Sequence, residues 1–286
     1  MTRLFPDLWP PGAYPGREED GVLVMRAPDP ARTVQRFNEG AFNGVVINSS
    51  HGADGLPDLD FLLDLDPDRL QHVNVLCRSV RDDSAVEKLH ALRSLNLTTG
   101  SRRRLALAAH QHLELLCLYG HQVPKAGLNH LPLRQLIIFN HQARDWTQIP
   151  ATVQYAALNW RRLETLDGLE RLNLRQLELA YVNRVQEWTP LATQRSMEYL
   201  QLSSVRVRSL HWLPSLANLR VLSFDNCHDV AGWPELQAVA DRLEDLNLGS
   251  WSVNGRTDII DAPSREAVGE LVRRVRARGP APTWER

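Results

Sequence analysis

The chain has 286 residues, 43% of them hydrophobic and 23% charged, with a formal net charge of −1. That balance gives no electrostatic case for nucleic acid or an anionic membrane surface. No run of eighteen apolar residues occurs, so no transmembrane helix is expected. The three cysteines, Cys77, Cys117 and Cys227, form no CxxC pair and fit free thiols in a reducing compartment. The opening stretch is broken early by prolines and lacks the apolar core of a signal peptide. A cytoplasmic protein is the expectation.

In chain order, GVLVMR (residues 21–26) predicts a strand, and PDPARTVQRFNEGAF after it a short helix. A pattern of three apolar residues, spaced LxxLxL, then begins at Phe42-Val45-Ile47 and returns at Leu70-Val73-Val75, Leu92-Leu95-Leu97 and Leu113-Leu116-Leu118. It continues through Leu133-Leu136-Ile138, Val153-Ala156-Leu158, Leu174-Leu177-Leu179, Met197-Leu200-Leu202, Leu219-Leu222-Phe224 and Leu243-Leu246-Leu248. From Val73 to Leu246 the central residues stand 20 to 24 positions apart. A period held so closely marks an internal repeat, one supersecondary unit per turn of a solenoid. The first interval is longer, 28 residues from Val45 to Val73. Its Asp58, Asp60, Asp64, Asp66 and Asp68 lack the glycine and closing glutamate of a calcium loop, so a polar turn around Leu59, Phe61, Leu62 and Leu65 is expected.

Between strands, Trp146, Trp188, Trp212 and Trp233 recur 10 to 13 positions ahead of the next central residue, a fixed slot that points to packing. The last element, SREAVGELVRRVRAR (residues 264–278), predicts an amphipathic helix with Ser264 as N-cap and Val268, Leu271, Val272 and Val275 on one face. Its arginines read as a solvated face.

These residues resemble the leucine-rich-repeat family, and the short inter-strand segments resemble the internalin-like bacterial class. VRVRSLHWLPSLANLRVLSF shows this best, with Leu210, Leu213, Leu216, Leu219 and Leu222 spaced by threes, a period suited to 3-10 turns. The resemblance implies an α/β repeat solenoid: a horseshoe with a parallel sheet of about ten strands on its concave face, short 3-10 or irregular convex turns, and caps at both ends. The implied divisions are an N-terminal cap over 1–41, repeats over 42–250, and a C-terminal cap helix and tail over 251–286. One departure stands out. The family's asparagine ladder position holds Gly100, His121, His141, Arg161, Val182, Val205, Cys227 and Trp251, and only Cys227 suits it. The backbone groups that asparagine would satisfy must bond elsewhere, and an irregular winding is expected.

Strand residues flanking the template positions face away from the core. Toward both ends of the repeat array these are small and polar. The centre collects Leu115, Tyr119, Ile137, Phe139 and Tyr155, with Tyr199 on a later strand and Trp160 and Tyr181 just past theirs. Apolar and aromatic residues inside a polar rim are the composition of a protein-binding hot spot. These eight are the candidate partner-binding residues of a monomeric, non-enzymatic recognition module, either a scaffold or an inhibitor of immunity type, whose partner is another protein. A carbohydrate or small-ligand groove on the same face is the alternative.

Chemistry finds little support. His110 and His130, and His121 and His141, lie 20 positions apart and would stack on neighbouring turns. Neither pair has the further ligands a zinc site needs, so no metal or other cofactor is expected. No GxSxG, HExxH or phosphate-binding loop occurs. The outward positions carry only Glu178, Asp225 and Asp245 as acids. A parallel β-helix enzyme cleaving polysaccharide is the distant alternative, and its coils would favour Val and Ile over Leu.

Overall fold

The computed structural model describes residues 21–227, 229–249 and 260–278. The ladder position Trp251, the stretch before Gly21 and the end of the C-terminal tail lie outside them. Eleven strands form one sheet in chain order. They are β1 (Val22–Met25), β2 (Gly44–Asn48), β3 (His72–Cys77), β4 (Ser94–Thr99), β5 (Leu115–Tyr119), β6 (Gln135–Phe139), β7 (Tyr155–Asn159), β8 (Gln176–Ala180), β9 (Tyr199–Ser203), β10 (Val221–Asp225) and β11 (Asp245–Leu248). Ten are the repeat strands, and the eleventh is GVLVMR, which joins the sheet through parallel pairing with β2. The register is that of the repeat: Val45 stands opposite Val73, Val73 opposite Leu95, and Leu177 opposite Leu200. The template residues stack into core columns, and from Val45 to Phe224 the two strand leucine positions of every repeat are at most 2% exposed. Each such side chain contributes about 1.5–3 kcal/mol by leaving water.

Between strands the chain makes 3-10 turns, at Asp60–Asp64, Ser84–Lys88, Leu169–Arg171, Thr189–Thr193 and Leu213–Ser215 among others. The aspartate-rich interval is a polar turn: Asp58 and Asp66 accept from the backbone N–H groups of Asp60 and Asp68, while Leu59, Phe61, Leu62 and Leu65 are buried. Trp146, Trp188, Trp212 and Trp233 are all buried, as a recurrent packing slot requires. The longest late interval makes room for a helix, α2 (Trp233–Val239), which follows α1 (Pro30–Glu39) in the chain and precedes α3 (Arg265–Arg276). Asp29 caps α1 and Ser264 caps α3, each accepting from a backbone N–H three residues on. Leu271 and Val275 of α3 are buried, and Arg276 at its end pairs with Asp245 at 3.1 Å, while Arg278 just past the helix pairs with Asp241 at 2.7 Å.

The described residues divide into two compact units at Ile138/Phe139. In the first, Arg69 ties α1 to the strand region by donating to the carbonyls of Phe37, Gly40 and Phe42. A buried polar network lies beside β4: the Asp83 carboxylate accepts from the Thr99 hydroxyl at 3.0 Å and the Gln122 amide at 2.9 Å. In the second unit, Gln194 accepts from Leu174 N–H and donates to the Leu169 carbonyl, stitching adjacent repeats.

The missing asparagine ladder is replaced piecemeal. In the first unit Gln122, one residue past His121, accepts from Tyr119 N–H. In the second, His141, Val182, Val205 and Cys227 turn inward and are at most 2% exposed, and the Cys227 thiol donates to the Leu202 carbonyl.

Candidate functional site

The candidate residues fall in both units, and each unit is taken by itself. In the first, Leu115 on β5 is 5% exposed and Ile137 on β6 is 3% exposed. Tyr119 ends β5 half-buried, with its ring stacked on His121 at 5.6 Å between centroids. His121 in turn hydrogen-bonds the Ser101 carbonyl.

In the second unit, Phe139 is half-buried, and Tyr155 and Tyr199 are 7% and 4% exposed. Tyr155 and Tyr199 belong to a polar array on the open face of β7–β9. Arg175 donates to the Tyr155 hydroxyl at 3.3 Å and is ion-paired with Glu198 at 2.6 Å. Tyr199 donates to Gln201, and Gln176 donates to Glu178. Burial raises the pKa of Glu178, and burial followed by the nearby Glu178 and Asp245 charges raises that of Tyr199. The remaining open-face acids are also engaged: Asp225 accepts from Ser203, and Asp245 pairs with Arg276.

Trp160 is not a surface residue. It is fully buried, its indole N–H donates to the Ala143 carbonyl at 2.7 Å, and its ring packs on Trp146 and His141. Tyr181 occupies the same position one strand later but behaves oppositely. It is 43% exposed, with φ at +64°, and the Arg161 guanidinium lies 5.3 Å from its ring centroid. The backbone conformation explains the contrast. Asn140, Tyr181, Ser204 and Asn226 all take left-handed φ directly after their strands, which lets the following residue turn inward. Trp160 is absent from that set, so the tryptophan itself fills the inward space and Arg161 is left outside.

The histidines have partners of other kinds. His110 is buried against His90 and bonds the Val86 carbonyl, whereas His130 is exposed. His141 is 2% exposed against Trp160 with neither ring nitrogen bonded, and burial lowers its pKa to about 4. Among the described residues no group of three or more His, Cys, Asp or Glu side chains is placed to hold a metal ion, and no helix is long and apolar enough to cross a membrane.

Three features escaped the repeat pattern: the Asp83–Thr99–Gln122 network, the Arg175–Glu198–Tyr155 array and the left-handed slot. The asparagines at 140 and 226 were the one available signal for that slot, since asparagine tolerates left-handed backbone better than most residues.

No protein-family model matches the chain, and no curated protein does. Among solved structures, an internalin, InlF, from Listeria monocytogenes is similar at 14% identity and a TM-score of 0.51, over 79% of this chain and 76% of that one. A leucine-rich-repeat protein of Leptospira interrogans is similar at 14% identity and a TM-score of 0.32, over 87% and 98% of the two chains. The parallel in-register strands, the 20- to 24-residue repeat and the internalin likeness together make this chain a leucine-rich-repeat protein by fold.

Proposed function

We propose that the chain is a non-enzymatic recognition module that binds another protein on the open face of its sheet, with Tyr181 as an anchor. The observation that carries this is the conformation of Tyr181. Its slot is held elsewhere by Asn140, Ser204 and Asn226, and the two asparagines are residues for which a left-handed backbone is cheap. A tyrosine there costs about 1 kcal/mol, the low end for a residue held in that region. The strain holds an aromatic ring in solvent with an arginine over it, the residue pair most enriched in interface hot spots. Arg161 already occupies one face of the ring, which favours a protein anchor over a sugar-stacking platform. Scaffold and inhibitor roles both fit this surface, in a monomer working in the cytoplasm.

The test compares immobilised wild type with Tyr181→Asn in capture from a lysate of the source organism. The variant should be as stable as wild type or more so, and should lose a protein that wild type retains. Equal retention by both would sink the assignment of Tyr181.

A further inference from the structure

A small cap recurs in the turns between strands. Asp58, Asp82, Asp145 and Glu187 each accept, through a side-chain oxygen, from the backbone N–H two residues on, at Asp60, Ser84, Thr147 and Thr189. Ser209 holds that slot one repeat after Glu187, and its Oγ accepts from the His211 N–H at 3.4 Å. Thr189 and His211, each two residues past its cap, stand 22 positions apart in the same place on adjacent turns. Among these five caps, only Ser209 is followed by a histidine.

His211 bridges the two turns. Its Nε2 lies 2.7 Å from the Thr189 Oγ1 and its Nδ1 2.9 Å from the Ser209 Oγ. Thr189 in turn donates its hydroxyl hydrogen to the Glu187 carboxylate. Hydrogen bonds from the Thr189 hydroxyl and backbone N–H hold the Glu187 carboxyl below its ordinary range, so it is ionised and can only accept. That end of the row fixes the direction of every bond. Thr189 has one hydroxyl hydrogen and gives it to Glu187, so His211 Nε2 carries a proton and donates to Thr189 Oγ1. The Nδ1 of the neutral ring keeps its lone pair, and the Ser209 hydroxyl donates to it. Ser209 is half-buried, while Glu187, Thr189 and His211 are exposed, so the row meets solvent.

We propose that Ser209 is an acyl-acceptor site, its hydroxyl activated by His211 and taking an acyl group from a thioester or activated ester. A hydroxyl, an imidazole base and an acid-held orienting group are the parts of an activated nucleophile. Ser209 Oγ attacks the acyl carbon, and its proton passes to His211 Nδ1. The bond from that carbon to the leaving sulfur or oxygen breaks, and the leaving group keeps the electron pair and takes the proton from Nδ1. Ser209 is left as an ester, a thiol or alcohol is released, and His211 is neutral again. The positive charge His211 carries in between is stabilised through Thr189 by Glu187. The row supplies a nucleophile and a base, which suffices for a leaving group stable as an anion. This selects thioesters and activated esters over amides. Uptake is a single modification on an inter-strand turn and does not depend on the role of Tyr181.

The full chain treated with p-nitrophenyl acetate and mapped by peptide mass spectrometry should carry acetyl on Ser209. Ser215, exposed on the next turn, should stay free. His211→Gln should slow acetylation of Ser209 by about 100-fold, the low end for loss of a general base. Thr189→Val keeps the backbone bond to Glu187 and should slow it by about tenfold, as loss of a group that orients a histidine does. Thr189→Ser restores the hydroxyl and should match wild type. The exposed amines of Lys88 and Lys125 calibrate the reagent and should react equally in every variant. A wild type with no acetyl on Ser209 would overturn the proposal. So would acetyl resting on His211 alone, equal labelling of Ser209 and Ser215, or a Ser209 rate unchanged in His211→Gln.

Discussion

Acidification should weaken this protein through His141, and the size of the effect follows from its burial. The imidazole is 2% exposed, lies 4.5 Å from the Trp160 ring centroid, and has no hydrogen-bond partner for either nitrogen. Burial holds its folded pKa at about 4, against 6.5 for an exposed histidine. Below 6.5 the unfolded chain takes up a proton that the folded chain refuses until about pH 4. Stability is therefore lost as the pH falls through that window, by about 2 kcal/mol between about pH 7.5 and about pH 5, approaching about 3 kcal/mol below pH 4. His141→Phe keeps a ring against Trp160 while removing both unpartnered nitrogens. It should leave the protein at least as stable near neutral pH, with a gain of about 1 kcal/mol from the removed desolvation cost. Urea unfolding of both proteins at the two pH values measures this, provided the m-values agree. The wild type also contains His72 and His110, whose pKa values burial lowers, so the readout is the difference between the two pH dependences. Equal loss on acidification in wild type and His141→Phe would refute the reasoning.

Other perturbations test other parts of the molecule. Leu177→Ala, in the middle of a core column where the side chain is fully buried, should cost about 2–5 kcal/mol in chemical denaturation. Asp83→Ala removes the shared acceptor of the buried Thr99 hydroxyl and Gln122 amide, leaving only the Gln122-to-Thr99 bond between them, and should cost about 3 kcal/mol, whereas Asp83→Asn, which keeps an acceptor, should cost clearly less by the same assay. Ser264→Ala removes the cap of α3 and should cost about 1 kcal/mol, visible as faster amide exchange in that helix.

The sequence made the strands legible because a core column demands one residue type at one interval, and ten such triplets leave little freedom. It told which face each side chain takes, since strand side chains alternate. It could not tell what covers that face. Leu115, Ile137, Tyr155 and Tyr199 are on the outward side, as the alternation requires, yet nearly solvent-free. Trp160 and Tyr181 show a second limit. They occupy matching positions after β7 and β8, and one dihedral angle sends the first into the core and leaves the second in water. Asp83 and Gln122 show a third, because a bond between residues 39 positions apart leaves no mark on a 20- to 24-residue period.

The in-line pairing of β8, β9 and β10 has a consequence for how this chain can change. Each of these strands meets only its predecessor and successor, with equivalent residues opposite one another. Duplicating one whole turn, from β8 to the residue before β9, would give the copy the same neighbours as the original and disturb no other pairing. Deleting a single residue inside a strand would instead exchange its core and solvent faces. The sheet is thus extendable only by whole strands, while the turns between them absorb the single-residue differences of the 20- to 24-residue spacing, so a larger open face could be gained by copying a turn already present.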